Sequence, residues 1–133
     1  MKLIETPIQI RFVDIDQLGH VNNAVYLTYL EVSRVPYFNS IVGKIDWLRR
    51  GIILAKAEVD YKTPILLNDQ IKVKTWCSRI GSKSFDLSYS IIKTENGNEI
   101  EVATAKTIMV CFNFESQSSF AMPDEWRLAL ESD

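Results

Sequence analysis

The chain has 133 residues, of which 47% are hydrophobic and 24% charged, which is typical of one globular domain with its own core. Fifteen basic and seventeen acidic side chains give a net charge of −2, whereas a sequence-independent nucleic-acid binder needs a basic excess. No apolar run approaches the ~20 residues that span a bilayer, and Glu5 and Pro7 interrupt the start of the chain before a signal-peptide core develops. We therefore expect a single domain over residues 1–133 in the cytoplasm, with neither nucleic acid nor membrane as a partner.

The first third of the chain predicts a strand, a polar loop and a long helix. Residues 5–13 alternate apolar and polar side chains, which is typical of a strand with one buried face. Residues 14–23 break that alternation with turn-forming and helix-capping residues. Over residues 24–42 apolar side chains surround the helical axis almost completely, so we expect an inner helix that is covered on most sides. Pro36 should kink this helix or end its regular part, and Glu31 and Arg34 are spaced to form a structural ion pair on it.

The rest of the chain predicts an antiparallel meander. A short helical piece over 47–50, ended by Gly51, comes first. After it, the apolar patterns predict strands over 52–61, 69–79, 85–94 and 100–114. The dipeptide Asn96-Gly97 suits a two-residue turn with positive φ at both positions, and so predicts a hairpin. Residues 124–130 predict a short amphipathic helix. This order of elements predicts an α+β domain, with one antiparallel sheet of about five strands wrapped around the long helix.

Polar residues and a glycine crowd the loop before the long helix: Asp14, Asp16, Gly19, His20, Asn22 and Asn23. One of the two asparagines is expected to cap the helix by accepting a hydrogen bond from a first-turn amide. The helix start also has unpaired N–H groups and the positive end of the helix dipole, so it can polarise an acyl carbonyl and stabilise an oxyanion. A carboxylate a few residues upstream can then attack the carbonyl or take a proton from water. Spacing alone does not choose between Asp14 and Asp16 for this role.

Other site chemistries find no support in the sequence. Asp-x-Asp-x-x-Gly opens an EF-hand loop, but Leu18 and Val25 stand at its fifth and twelfth positions, where calcium requires oxygen ligands. His20 is the only histidine, which excludes HExxH and histidine-rich metal motifs. No GxSxG, P-loop or GxGxxG element is present. We therefore expect neither a metal ion nor a cofactor.

The same loop resembles a known family. The run Arg11–Tyr26 resembles the Asp-x-Asp-x-x-Gly-His-Val-Asn-Asn signature of thioesterases in the 4-hydroxybenzoyl-CoA thioesterase family. The similarity spans most of the chain, because further pieces follow in the family's order: Tyr29, Glu31, Arg34, Asp60-Tyr61-x-x-Pro64, Asp69-x-Ile71-x-Val73 and Ile80-Gly81-x-x-Ser84. The resemblance implies the hotdog fold, in which the sheet wraps around a long central helix. It also implies a homodimer, or a homotetramer of paired dimers, with each acyl-thioester site at a dimer interface.

The resemblance further implies an acyl-CoA thioesterase, which hydrolyses a thioester to a free carboxylic acid and a thiol. In the family the second aspartate of the signature acts as nucleophile or general base, and the resemblance assigns this role to Asp16 and the polarising amide to Asn23. The resemblance also implies that His20 and Asn22, which belong to the signature, position substrate or water. The alternatives are an acyl-ACP thioesterase and a non-catalytic acyl-thioester binding module.

Substrate-binding residues are expected on the helix and among the basic side chains. The acyl chain should run along the helix beside Tyr26 and Tyr29, facing the sheet. The nucleotide end of coenzyme A carries phosphates, for which Lys62 and Lys83 are the candidate partners.

Overall fold

The computed structural model describes residues 2–132. Its regular elements, in chain order, are β1 Leu3–Ile8, α1 Val25–Ile41, β2 Gly51–Tyr61, β3 Gln70–Ile80, β4 Ser84–Glu95, β5 Asn98–Asn113, β6 Ser118–Ser119 and α2 Asp124–Glu131. The strands form one antiparallel sheet in the order β1-β3-β4-β5-β2, and β6 pairs with the end of β5. The predicted α+β class and antiparallel sheet are confirmed, with six strands because the two-residue β6 was not predicted. Neither of the helices in the described residues is long and apolar enough to pass through a bilayer.

The core lies between α1 and one face of the sheet. Along β3 the residues alternate between buried and half-exposed, as they do in a strand with one face on a core. Each large apolar side chain removed from water there stabilises the fold by about 1.5–3 kcal/mol. The least exposed members of this core include Leu30, Tyr37, Ile65, Val73, Phe85, Leu87, Tyr89, Ile91 and Val102.

β1 is shorter than the predicted strand over 5–13, because the chain leaves the sheet after Ile8. Residues 12–14 form a single 3-10 turn instead. Asp14 stabilises this turn, since its carboxylate accepts the backbone N–H of Arg11 at 2.9 Å. The C=O of Asp14 also accepts the N–H of Asn22 at 2.8 Å. These bonds bring the two ends of the polar loop together, next to the start of α1.

The proline in α1 does not end the helix, which continues to Ile41. Pro36 lacks the N–H that would bond to the C=O one turn earlier. Tyr37, Phe38 and Ile41 beyond it are all buried, and their packing holds the last turn of the helix in place.

The predicted helical piece over 47–50 is wrong, because residues 47–49 form a turn and β2 begins at Gly51. The C=O of Leu48 accepts the N–H of Phe114 at 2.7 Å and that of Glu115 at 3.2 Å, which ties the segment to the end of β5. A Cβ on Gly51 would lie 2.6 Å from the carbonyl oxygen of Trp47. Glycine therefore allows a turn this tight to enter the sheet directly.

Two surfaces of the single chain remain open. On α1, the apolar side chains of Leu27, Val32 and Val35 are 45%, 46% and 58% exposed. One chain therefore covers one side of the helix only, which differs from the expectation of a helix covered on most sides. β2 is an edge strand of the sheet, and its residues 53–58 are all exposed. The outer edge of β2 has no partner strand within residues 2–132.

Candidate active site

Asp14 is held in a buried clamp and is 1% exposed. Its carboxylate accepts the guanidinium N–H groups of Arg11 at 2.8 and 3.1 Å and the hydroxyl of Tyr29 at 2.7 Å, besides the backbone N–H of Arg11. Burial alone would raise the pKa of Asp14, but the hydrogen bonds and the charge of Arg11 outweigh it, and the pKa is lowered. Asp14 is thus ionised, and each of its two carboxylate oxygens accepts two hydrogen bonds from neighbouring groups of the fold.

Asp16 lies in a tight loop that is closed by an antiparallel bridge between Ile15 and Val21. Its N–H donates to the C=O of His20 at 2.9 Å, and its C=O accepts from Gly19 at 3.0 Å. Gly19 has a φ of +84°, a conformation that glycine adopts without steric cost. The side chain of Asp16 is half-buried, and Oδ1 accepts the N–H of Leu18 at 2.9 Å. Its second oxygen, Oδ2, has no hydrogen-bond partner among residues 2–132, so this carboxylate keeps the lone pairs that attack or proton transfer requires.

The start of α1 has no side-chain cap, which corrects the expectation of a capping asparagine. The Oδ1 atom of Asn22 accepts the N–H of Ala24 at 2.9 Å, one residue before the helix, and its C=O accepts the N–H of Val25 at 2.9 Å. Between them, the N–H of Asn23 donates to no acceptor in the described part of the chain. Its C=O is fixed by the hydroxyl of Tyr61 at 2.8 Å. A free backbone donor is therefore held rigidly at the positive end of the helix.

A cavity of about 240 Å³ opens beside this free donor. Four of the predicted site residues line it, and the other lining residues are Val21, Tyr61, Thr63 and Pro64; the four are His20, Asn23, Tyr26 and Lys62. Tyr61 is a lining residue that was not among the predicted site residues, and the centroid of its ring lies 4.8 Å from that of Tyr26 in an edge-on arrangement. Its only sequence signal was its position in the Asp60-Tyr61-x-x-Pro64 piece.

The structure places the other predicted site residues outside this cavity. Asp16 and Asn22 belong to the adjoining loop. Tyr29 is only 2% exposed, and its hydroxyl is committed to Asp14, so core packing fills the path along which the acyl chain was expected to run. Lys83 lies at the opposite end of the sheet from Lys62, because their contacts on β5 are nine residues apart, about 30 Å along a strand. One chain therefore does not bring the two lysines to one site.

A larger cavity of about 490 Å³ runs between α1 and the first half of β2. No motif in the sequence indicated it. The predicted pair of Glu31 and Arg34 is not formed: Glu31 is exposed, whereas Arg34 is buried and its guanidinium donates to the hydroxyl of Tyr89 at 3.3 Å. The walls are otherwise mainly apolar, with Val35, Phe38, Trp47, Ile52, Ile53, Leu54 and Met109 among them. An apolar acyl chain fits this space better than it fits the filled core beside Tyr29.

The described residues hold no group of three or more histidine, cysteine, aspartate or glutamate side chains placed to bind a metal ion. The arrangement offers a carboxylate, a free helix-terminal amide beside a small cavity, and a separate larger cavity near the other end of β2. These are the parts that acyl transfer needs: a group that attacks or activates water, a donor for the oxyanion, and space for the substrate.

Comparison with known proteins agrees with this chemistry. The chain matches the thioesterase-like superfamily over residues 10–130. It is 28% identical over 131 residues to the long-chain acyl-CoA thioesterase FadM of Escherichia coli (strain K12), covering 96% of this chain and 97% of that protein. A thioesterase from Thermus thermophilus, solved with coenzyme A and zinc, is 33% identical with a TM-score of 0.82, covering 96% of this chain and 97% of that one.

A mutant 4-hydroxybenzoyl CoA thioesterase, solved with 4-hydroxybenzoyl CoA, has a TM-score of 0.89 over 98% of this chain and all of that one. At 18% identity, this likeness shows the fold. The protein is a thioester hydrolase with the hotdog fold, as the signature in its first third predicted. It belongs to the thioesterase-like superfamily.

Proposed function

We propose that the protein hydrolyses acyl-CoA to a free carboxylic acid and coenzyme A, with Asp16 as the reacting carboxylate and the N–H of Asn23 as the oxyanion donor. The observation that carries this proposal is the free N–H of Asn23, held at the start of α1 beside a cavity. The clamp around Asp14 supports the choice of aspartate. Asp14 is enclosed by Arg11 and Tyr29, whereas Asp16 keeps one oxygen free.

The reaction begins with the thioester carbonyl oxygen accepting a hydrogen bond from Asn23. Either the Asp16 carboxylate attacks the carbonyl carbon, or it takes a proton from a water molecule whose oxygen attacks. Negative charge then develops on the carbonyl oxygen, where the fixed amide and the helix dipole stabilise it; loss of one such donor typically costs about 3 kcal/mol in the barrier. The C–S bond breaks and coenzyme A leaves as the thiolate. On the general-base route the thiolate takes up the proton that Asp16 removed from water. On the nucleophilic route it takes up a proton from solvent, and water then hydrolyses the mixed anhydride on Asp16, which releases the carboxylic acid and restores the Asp16 carboxylate.

The other loop and cavity residues bind and orient the substrate. His20 and Tyr26 line the small cavity beside Asn23, where the thioester enters. Asn22 holds the turn that presents Asn23, through its own bonds to Ala24 and Val25. In this role Asn22 acts through the backbone rather than by touching the substrate.

We also propose that the active form is a homodimer joined at β2. The strand is an eleven-residue edge, and a free edge of that length favours pairing with another strand. Two antiparallel copies would place the Gly51 end of one strand beside the Tyr61 end of the other. Because Lys83 lies at the Gly51 end of the sheet, Lys62 and the partner's Lys83 would then border one site for the phosphates of coenzyme A.

The same arrangement brings the large cavity of one copy alongside the small cavity of its partner. One acyl-CoA can then have its thioester in the small cavity of one copy and the distal part of its acyl group in the large cavity of the other.

The exposed apolar face of α1 supports a further association of dimers into a tetramer, through Leu27, Val32 and Val35. The location in the cytoplasm and the single domain over 1–133 remain predictions from the sequence.

Free-thiol detection with a panel of acyl-CoA and acyl-ACP thioesters of graded length tests the proposal. We expect turnover of acyl-CoA by the wild-type protein. Faster turnover of acyl-ACP than of acyl-CoA would replace the carrier in this proposal with acyl carrier protein. Binding of both thioesters without thiol release would contradict hydrolysis and identify a binding module.

A further inference from the structure

Arg34 is a buried cation at the large cavity between α1 and β2. Arg34 is 8% exposed and is one of the residues that line this cavity of about 490 Å³. A guanidinium has five N–H donors and stays protonated in proteins. Its burial therefore places a permanent positive charge beside mainly apolar walls.

The described residues do not neutralise this charge. No carboxylate oxygen within residues 2–132 lies within 4.0 Å of the Arg34 guanidinium. Its hydrogen bond goes to the hydroxyl of Tyr89 at 3.3 Å, and that hydroxyl also pairs with the hydroxyl of Thr107 at 2.6 Å. Glu31, one turn earlier on the helix, lines the same cavity but is exposed to water and makes no ion pair with Arg34.

Tyr89 takes one of the five donors of Arg34. The unused guanidinium nitrogens are not among the buried side-chain atoms of residues 2–132 that lack a partner, so these donors reach the cavity and are open to water. A ligand oxygen that enters the cavity can replace that water, and a carboxylate there would pair with the charge of Arg34 in a charge-assisted hydrogen bond.

We infer that Arg34 recognises an oxygen atom on the distal part of the acyl group, above all a terminal carboxylate. This inference rests on the proposed thioesterase function and specifies its substrate class. The thioester enters the small cavity beside Asn23, whereas Arg34 lines the separate large cavity, so the oxygen atom that Arg34 binds lies on the distal part of the acyl group. The apolar walls suit the methylene groups between the two ends.

Matched substrates test this directly. Decanoyl-CoA is compared with analogues of the same chain length that carry a terminal carboxylate or a terminal hydroxyl, by kcat/KM, in wild type, Arg34→Gln and Arg34→Lys. Hydrolysis-resistant thioether analogues of the same three ligands are compared in parallel by calorimetry. Lys93→Gln is the matched control, since it removes a positive charge that pairs with Glu95 on the surface of β4, outside the cavity.

The wild-type protein should prefer the carboxylate over the plain chain by about 10-fold or more, the usual effect of a hydrogen bond to a charged group. In Arg34→Gln the ratio of kcat/KM for the carboxylate chain to that for the plain chain should be close to one. Arg34→Lys should keep part of the wild-type ratio, and Lys93→Gln should keep all of it. The inference is overturned if wild type shows no preference for either oxygenated chain, or if Arg34→Gln keeps the preference. It is also overturned if Arg34→Gln lowers kcat/KM for all three substrates by the same factor, or if it separates the subunits, since Arg34 would then be structural.

Failure of the proposed function gives a different pattern. Wild type would hydrolyse none of the three thioesters, while the thioether analogues would still report whether Arg34 sets the binding preference. A second variant isolates the contact with Tyr89. Tyr89→Phe removes its hydroxyl and leaves the charge of Arg34, so the preference for the carboxylate should persist.

Discussion

Asp16→Asn is the substitution that separates the chemistry from the fold. Asparagine keeps the volume of the side chain and an Oδ1 atom that can accept the N–H of Leu18. The backbone bonds that close the loop, from Asp16 to His20 and from Gly19 to Asp16, do not involve the side chain. The variant should therefore fold and bind substrate like the wild-type protein.

The catalytic cost should be large, because an amide is neither a base nor an effective nucleophile. A positioned acid/base group typically contributes 10²–10⁴-fold, so we expect turnover to fall by at least about 100-fold, which corresponds to roughly 2.7 kcal/mol in the barrier. The assay is thiol release from acyl-CoA at saturating substrate, with calorimetry of a hydrolysis-resistant analogue as the check on binding. Turnover near the wild-type rate, in a variant that binds the analogue normally, would refute the role of Asp16.

The remaining predictions concern the clamp, the turn and the lysines. Asp14→Asn should reduce activity less than Asp16→Asn but lower the free energy of unfolding by about 1–3 kcal/mol, because a hydrogen-bonded buried charge is lost. Folding lowers the pKa of Asp14 from its ordinary value of 3.8. The ionised carboxylate therefore stabilises the fold fully above pH 3.8, and this stabilisation is lost as the pH falls through the folded pKa. Urea unfolding measured at a series of pH values should show a free energy of unfolding that falls less steeply with acid in Asp14→Asn than in the wild type. Gly51→Ala should lower Tm in a thermal scan by an amount equivalent to about 1–3 kcal/mol, since its Cβ meets the carbonyl of Trp47, and an unchanged Tm would contradict the contact. Lys62→Gln and Lys83→Gln should each raise KM for acyl-CoA by up to about fivefold at low salt; an equal rise for acyl-N-acetylcysteamine, which lacks the nucleotide, would argue against phosphate binding.

The parts of the fold that depend on local signals could be predicted from the sequence. Asn96 and Gly97 have φ of 52° and 79°, as the predicted primed turn requires, because the choice of residue there is set by the turn itself. The alternation along β3 gave its buried face for the same reason. The turn over 47–49 could not be predicted in this way, since it depends on bonds from Leu48 to the distant end of β5.

The site was predictable in its residue types but not in their pairing. Spacing did not choose between Asp14 and Asp16, and the structure distinguishes them through Tyr29, which is fifteen residues further along the chain. The predicted pair of Glu31 and Arg34 failed for a related reason. Helical spacing makes such a pair possible, but the packing of α1 against the sheet buries Arg34 and leaves Glu31 in water.

The apolar residues on the outer face of α1 have a similar explanation. Sequence periodicity showed that the helix is apolar nearly all round, whereas one chain covers only one of its sides. The pattern is consistent with the proposed assembly of several chains. Sedimentation equilibrium should give a particle of at least two chains, and a monomer that retains full activity would contradict the shared site.

A crystal structure of the Asp16→Asn variant with acyl-CoA bound tests the central claim most directly. The account predicts the thioester carbonyl oxygen within about 3.2 Å of the Asn23 backbone nitrogen, with the side chain at position 16 facing the carbonyl carbon. A bound thioester whose carbonyl oxygen accepts from other groups, with the side chain at position 16 turned away from it, would contradict the account.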